Sequence, residues 1–188
     1  MKINKSIVLP LTLLVLSAAL YRVWPGRPFG FAPQWAMAVF AGAVIKDKRL
    51  AFILPLISMI ISDALYQVLF VQGSTSIQGF YAGQLVNYVL LGSLVVFGFM
   101  IRKINTVKIL SASLAAPSVF FLLSNLFVWI GGGGYSHPKT VVGLMQTYAD
   151  GVPFYQMSLL STVVFSGVLF GVYFLVKQGL FLQKHQLS

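Results

Sequence analysis

The sequence contains no cysteine and no glutamate. The first absence excludes disulfides, thiolate metal sites and cysteine nucleophiles. The second leaves Asp47, Asp63 and Asp150 as the whole set of side-chain carboxylates. Histidine is almost as scarce, with only His137 and His185. Charged residues make up 9% of the chain, against about 25% in soluble domains. No glycine-rich Lys-Ser/Thr loop occurs, so ATP binding within this chain is not expected. His137, Asp150 and Asp63 are the only groups from which an enzyme could be assembled, and that inventory is sparse. Neither an enzyme, a metal site nor a cofactor is expected.

What the chain has is hydrophobic length. Hydrophobic residues make up 58% of it, in long runs separated by short polar segments. The net charge of +10 sits in clusters between those runs. That is the pattern of loops on the cytoplasmic face of a membrane protein, not of a nucleic-acid surface. The reading is an all-α, six-transmembrane-helix bundle, one integral membrane domain over residues 1–188. Spans fall at about 7–24, 33–45, 50–70, 81–101, 109–130 and 157–176, with an outer loop at 131–156.

The first run follows Lys2 and Lys5 and contains Ser17-Ala18-Ala19, features shared with a cleaved signal peptide. It continues to Trp24 without a polar cleavage region, so a first span is favoured, with Arg22 and Trp24 as interfacial anchors. Loss of a signal peptide would leave five spans. Lys and Arg number ten at the amino end, the Lys46 and Arg102 turns and the carboxyl tail. The other loops hold only Arg22, Arg27 and Lys139. Both termini are therefore expected in the cytoplasm. In the second span, Gln34, Ala38 and Gly42 are spaced by four. Small residues at that spacing serve close packing inside a bundle or docking of another subunit.

One residue breaks the third span. Asp63 lies inside the run Leu50 to Phe70, where a carboxylate costs about 2.5–3.5 kcal/mol on insertion scales. That cost marks it as a candidate functional residue; the alternative is a structural hydrogen bond between helices. Asp63 lies roughly 20 Å from the cytoplasmic end of its helix, and Asn87 is at a similar level in the next. Asn125 is nearer the outer end of the fifth span. Tyr66 and Gln67, Gln84 and Tyr88, and Trp129 accompany them at helical spacing. Polar outer halves above apolar inner halves describe a cup that opens outward. The segment 131–156, entered through the glycines Gly131 to Gly134, is long enough to cover it. Asp63, Tyr66, Gln84, Asn87, Asn125 and Trp129 are candidate ligand contacts. His137 is a further candidate ligand contact, and Tyr135, Lys139, Tyr148 and Asp150 are candidates in the covering segment.

Phe31-Ala32-Pro33 through Ala41-Gly42-Ala43, Ser62-Asp63, Asn125 with Trp129, Tyr135 to Thr140, Tyr148 and Pro153-Phe154 resemble an uncharacterised family of small six-span bacterial membrane proteins. The architecture also resembles the substrate-binding S components of energy-coupling-factor vitamin transporters. That likeness implies capture of a vitamin or related micronutrient at the outer side of a bacterial inner membrane. It further implies delivery through a transmembrane coupling subunit and ATPase subunits. The alanine-xxx-alanine docking motif of many S components is missing from the first span; the nearest equivalent is Gln34, Ala38 and Gly42. A proton-coupled secondary transporter using Asp63, and a purely structural or assembly role, are the alternatives. The short chain and its lack of an inverted repeat speak against the transporter.

Overall fold

The structure, a computed structural model, describes residues 5–101 and 103–186, with side chains for 9–101 and 103–178. Among the charges counted above, Lys2 and Arg102 lie outside the described residues, and the side chains of Lys5, Lys184 and His185 are outside those described. The regular structure of the described residues is wholly helical: α1 (Lys5–Val23), α2 (Gln34–Val44), α3 (Lys48–Val71), α4 (Gln84–Ser93), α5 (Val95–Phe99), α6 (Thr106–Gly131) and α7 (Val141–Gln186).

Local chemistry accounts for most of the boundaries. The Asp47 carboxylate accepts from the backbone N–H of Arg49 and Leu50 and caps α3. The Asn105 side chain does the same for α6 through Lys108. These caps satisfy donors that a helix start leaves without partners. At the other end of α6, Gly132 takes a left-handed φ of 71°, the usual way to close a helix. Part of the glycine run thus serves as a helix cap.

The bundle is built around α2. This helix is apolar all round, which is the signature of a buried element. Ala36, Met37, Ala38, Val39 and Ala41 are all buried. It packs against α3, α5, α6 and α7, while α1 lies outside against α3. Gly42 and Gly98 bring the α2 and α5 backbones into contact. A Cβ on Gly42 would fall 2.2 Å from the Val95 carbonyl oxygen, and one on Gly98 would fall 2.2 Å from that of Val39. Ala38 and Gln34 on the same face are 0% and 3% exposed. The Gln34, Ala38, Gly42 face is therefore used for packing inside the chain and offers no docking surface.

One expectation is met in part and two need correction. First, three helical segments are long and apolar enough to cross a membrane: Lys48–Val71, Thr106–Gly131 and Val141–Gln178. Leu9–Val23, Gln34–Val44 and Gln84–Phe99 are apolar but shorter. At ~1.5 Å per residue, the eleven residues of α2 reach roughly half the hydrocarbon thickness. Second, the fourth expected span is divided. At Leu94 the bonds shorten to the i+3 pattern, with Leu94 N–H to Leu91 O and Phe97 N–H to Leu94 O. The preceding pair Gly92-Ser93 weakens the ladder, and the Ser93 hydroxyl donates back to the Leu90 carbonyl at 2.6 Å. Third, the segment 131–156, in which only a short surface helix at Thr140 to Tyr148 is expected, is mostly helix. Thr140 Oγ1 accepts from Gly143 N–H at 3.1 Å and starts α7, which runs on through Pro153. An interior proline is tolerated in a membrane helix when neighbouring groups satisfy the freed backbone. The non-helical part shrinks to 132–140.

Candidate functional site

Asp63 is 1% exposed and is held by donors from two other helices. Its Oδ1 accepts from Nη1 of Arg22 in the last turn of α1. Its Oδ2 accepts from Nε2 of Gln84 and, at 2.9 Å, from the hydroxyl of Tyr88. One carboxylate thus ties α1, α3 and α4 together. A buried charge is tolerable when it is paired and hydrogen-bonded in this way. Arg22 Nη1 also donates to Ser62 Oγ at 2.7 Å, and the guanidinium lies 5.4 Å from the Tyr66 ring centre.

The segment after α1 folds back over this pair. Arg27 Nε donates to the Arg22 carbonyl at 2.9 Å, and Nη1 donates to the Phe31 carbonyl at 3.0 Å. Arg27 Nη2 donates at 3.1 Å to the Tyr66 hydroxyl, which itself donates to the Arg22 carbonyl at 2.6 Å. The α3–α4 connection closes the other side. Gly79 sits so near α3 that a Cβ there would fall 1.9 Å from the Asp63 carbonyl oxygen.

These elements enclose a cavity of about 280 Å³ at the end of the bundle formed by the α1–α2 and α3–α4 connections. Its polar wall includes Arg22, Arg27, Gln34, Asp63, Tyr66 and Asn87, and its apolar wall includes Phe29, Trp35, Met59, Phe120 and Phe154. Gln34 Nε2 donates to the Ala18 carbonyl at 3.2 Å and to Ser58 Oγ at 3.4 Å. Its Oε1 is buried and has no partner. A second cavity of about 240 Å³ shares Trp35, Asn87, Phe120, Phe154 and Ser158 with the first.

A model of the family of unknown function DUF6580 matches residues 1–185. The chain belongs to that family. No curated protein and no solved structure matches it. The DUF6580 match runs through every element that builds the cavity.

The expected site residues divide into two groups in this DUF6580 chain. Asp63, Tyr66 and Asn87 line the first cavity, and Gln84 is bonded to Asp63 behind it. Asn87 Nδ2 donates to the Tyr81 hydroxyl at 2.6 Å. Asn125 lies on the second cavity, with Nδ2 donating to the Phe121 carbonyl of its own helix at 2.8 Å. Of the remaining six, Trp129, His137, Lys139, Tyr148 and Asp150 hold the 132–140 segment or α7 in place. Trp129 Nε1 donates to the Pro138 carbonyl at 3.0 Å, and Lys139 Nζ lies 5.2 Å from the Trp129 ring centre. His137 Nε2 is 2.6 Å from Asp150 Oδ2, and the Tyr148 hydroxyl donates to the Leu122 carbonyl at 3.0 Å. Tyr135 is 81% exposed.

Arg22, Arg27 and Gln34 are cavity residues absent from the sequence-based candidates. Arg22 carried a usable signal: a cation at the end of one apolar run, near the level expected for a carboxylate buried in another. Its place beside Trp24 reads equally well as an interfacial anchor. Arg27, within a proline- and glycine-rich turn, carried none.

Proposed function

We propose that the chain is a membrane-embedded binding protein for uptake of a small nutrient, captured from the outer side of a bacterial inner membrane. The cavity carries this reading: charged and amide groups converge with aromatic walls in a concavity, as in small-molecule sites. In this reading the three shorter apolar helices complete six spans, both termini are cytoplasmic, and delivery uses a coupling subunit with ATPases. That subunit must dock away from Gln34, Ala38 and Gly42, which face inward.

Purified wild-type chain is expected to retain a small molecule detectable by native mass spectrometry, or to bind one member of a vitamin panel. Ala32 lines the cavity at 9% exposure and is no part of the ion pair, so Ala32→Phe should fill much of the space while leaving Arg22 and Asp63 in place. Loss of ligand in this variant, with thermal unfolding in detergent little changed, supports the reading. A wild-type chain that retains and binds nothing removes it.

The orientation is tested separately. Because the chain has no cysteine, single substitutions report without background. Ser76→Cys in the α3–α4 connection should react with a membrane-impermeant maleimide on intact cells. Lys103→Cys, between α5 and α6, should react only after permeabilisation. The opposite pattern would invert the cup and place its mouth in the cytoplasm.

A further inference from the structure

Resting on the receptor reading above, we infer that the cavity selects a small amphipathic monoanion: a carboxylate attached to a planar apolar body that bears an N–H or O–H donor. Three observations point there. Arg22 donates only through Nη1, to Ser62 and Asp63, so its Nε–H and Nη2 group have no acceptor among the described residues. That edge of a guanidinium takes a carboxylate side-on through two parallel bonds. Arg27 faces only neutral oxygens, those of Arg22, Pro28, Phe31 and Tyr66. Two guanidiniums against the single carboxylate of Asp63 leave one surplus positive charge on the wall, which one anionic group neutralises. A phosphate dianion would overshoot it.

The second end of the ligand is set by Gln34. Its Nε2 is committed to Ala18 and Ser58, which fixes Oε1 as the free acceptor. The residue is 3% exposed and lines the cavity, so this carbonyl lacks both water-exposed surface and a protein donor. An unpaired buried acceptor is costly, and a ligand donor would relieve it once a small turn of the Gln34 amide opens Oε1 to the cavity. Trp35, Phe120 and Phe154 line the same cavity, and aromatic walls suit a flat apolar body. The volume of about 280 Å³ limits that body to little more than a fused bicyclic ring.

The test uses the full wild-type chain in lipid nanodiscs and equilibrium dialysis with probes on one skeleton. Indole-3-propionate should bind at least about tenfold more tightly than indole-3-propionamide or tryptamine, since a bond to a charged group is stronger than a neutral one. Methylation of the indole nitrogen should weaken the carboxylate several-fold, reporting the Gln34 acceptor. Arg27→Gln should lose about tenfold for the carboxylate alone, and Arg27→Lys should retain most of it. The probe comparison needs no variant, so misfolding of an arginine substitution leaves it decisive. Amide or amine binding that equals the carboxylate overturns the assignment while leaving a receptor for another solute. Failure of every probe to bind also overturns it. Retention of a native small molecule by the same preparation then separates that failure from failure of the receptor reading.

Discussion

Arg22→Met should destabilise the folded chain by about 3–5 kcal/mol, because it leaves a buried carboxylate without its charge partner. Asp63 is 1% exposed, so the charge left behind stays largely shielded from water. Asp63→Leu should cost a similar amount for a different reason. It strands Arg22 and removes the acceptor used by Gln84 and Tyr88, so three donors lose their partner together. The double variant Arg22→Met/Asp63→Leu should be markedly more stable than the sum of the two losses. Replacing a whole buried pair with apolar groups is often near neutral, whereas breaking it is not. Reversible unfolding in mixed micelles would measure all four corners of the cycle. Losses that simply add would mean that the two side chains do not depend on each other, and the knot between α1, α3 and α4 would lose its basis.

A second large effect is expected from a single methyl group. Gly98→Ala places a Cβ 2.2 Å from the Val39 carbonyl oxygen and 2.7 Å from the Ala43 nitrogen. Gly42→Ala places one 2.2 Å from the Val95 carbonyl oxygen. Both obstacles are backbone, so no rotamer change relieves them, and the two helices must separate. Overpacking typically costs about 1–3 kcal/mol; with rigid backbone on both sides, each variant should lie at or beyond the top of that range. Gly167→Ala and Gly171→Ala in α7 are the controls. A Cβ at either meets nothing within 4 Å, so helix propensity should make them neutral or up to about 1 kcal/mol stabilising. Folded yield and thermal unfolding in detergent would separate the two pairs. Gly98→Ala that behaves like Gly171→Ala would show that the α2–α5 contact is loose.

Sequence reasoning led to a cavity-lining residue where a single side chain violated its surroundings. Asp63 stood out because a carboxylate in an apolar run is expensive wherever it points. Its levelling with Asn87 also led to two residues of one cavity wall. Asn125 shows the limit of that reasoning. Depth along a helix was used for it too, but the rotation of α6 turns it to the second cavity and to its own Phe121 carbonyl. The polar residues around His137 illustrate a different limit. Polarity in a connecting segment suits a covering loop, yet here Trp129, His137 and Tyr148 bond to neighbouring backbone and to Asp150. In the same region α7 runs on through Pro153, since a proline that ends a soluble helix is tolerated in a membrane helix.

The amino-acid sequence alone determined that the chain is helical and apolar, that it lacks thiol chemistry, and that one carboxylate is out of place in its third hydrophobic run. Those properties are local: they follow from side-chain type and from position along a helix. Only the tertiary structure decided that Arg22 meets that carboxylate, that Arg27 reaches back over it, that Gln34 is left with a free acceptor, and that the small-residue face of α2 is already occupied. Each of these depends on how helices rotate and approach one another, which close packing of the whole bundle sets and no single segment encodes.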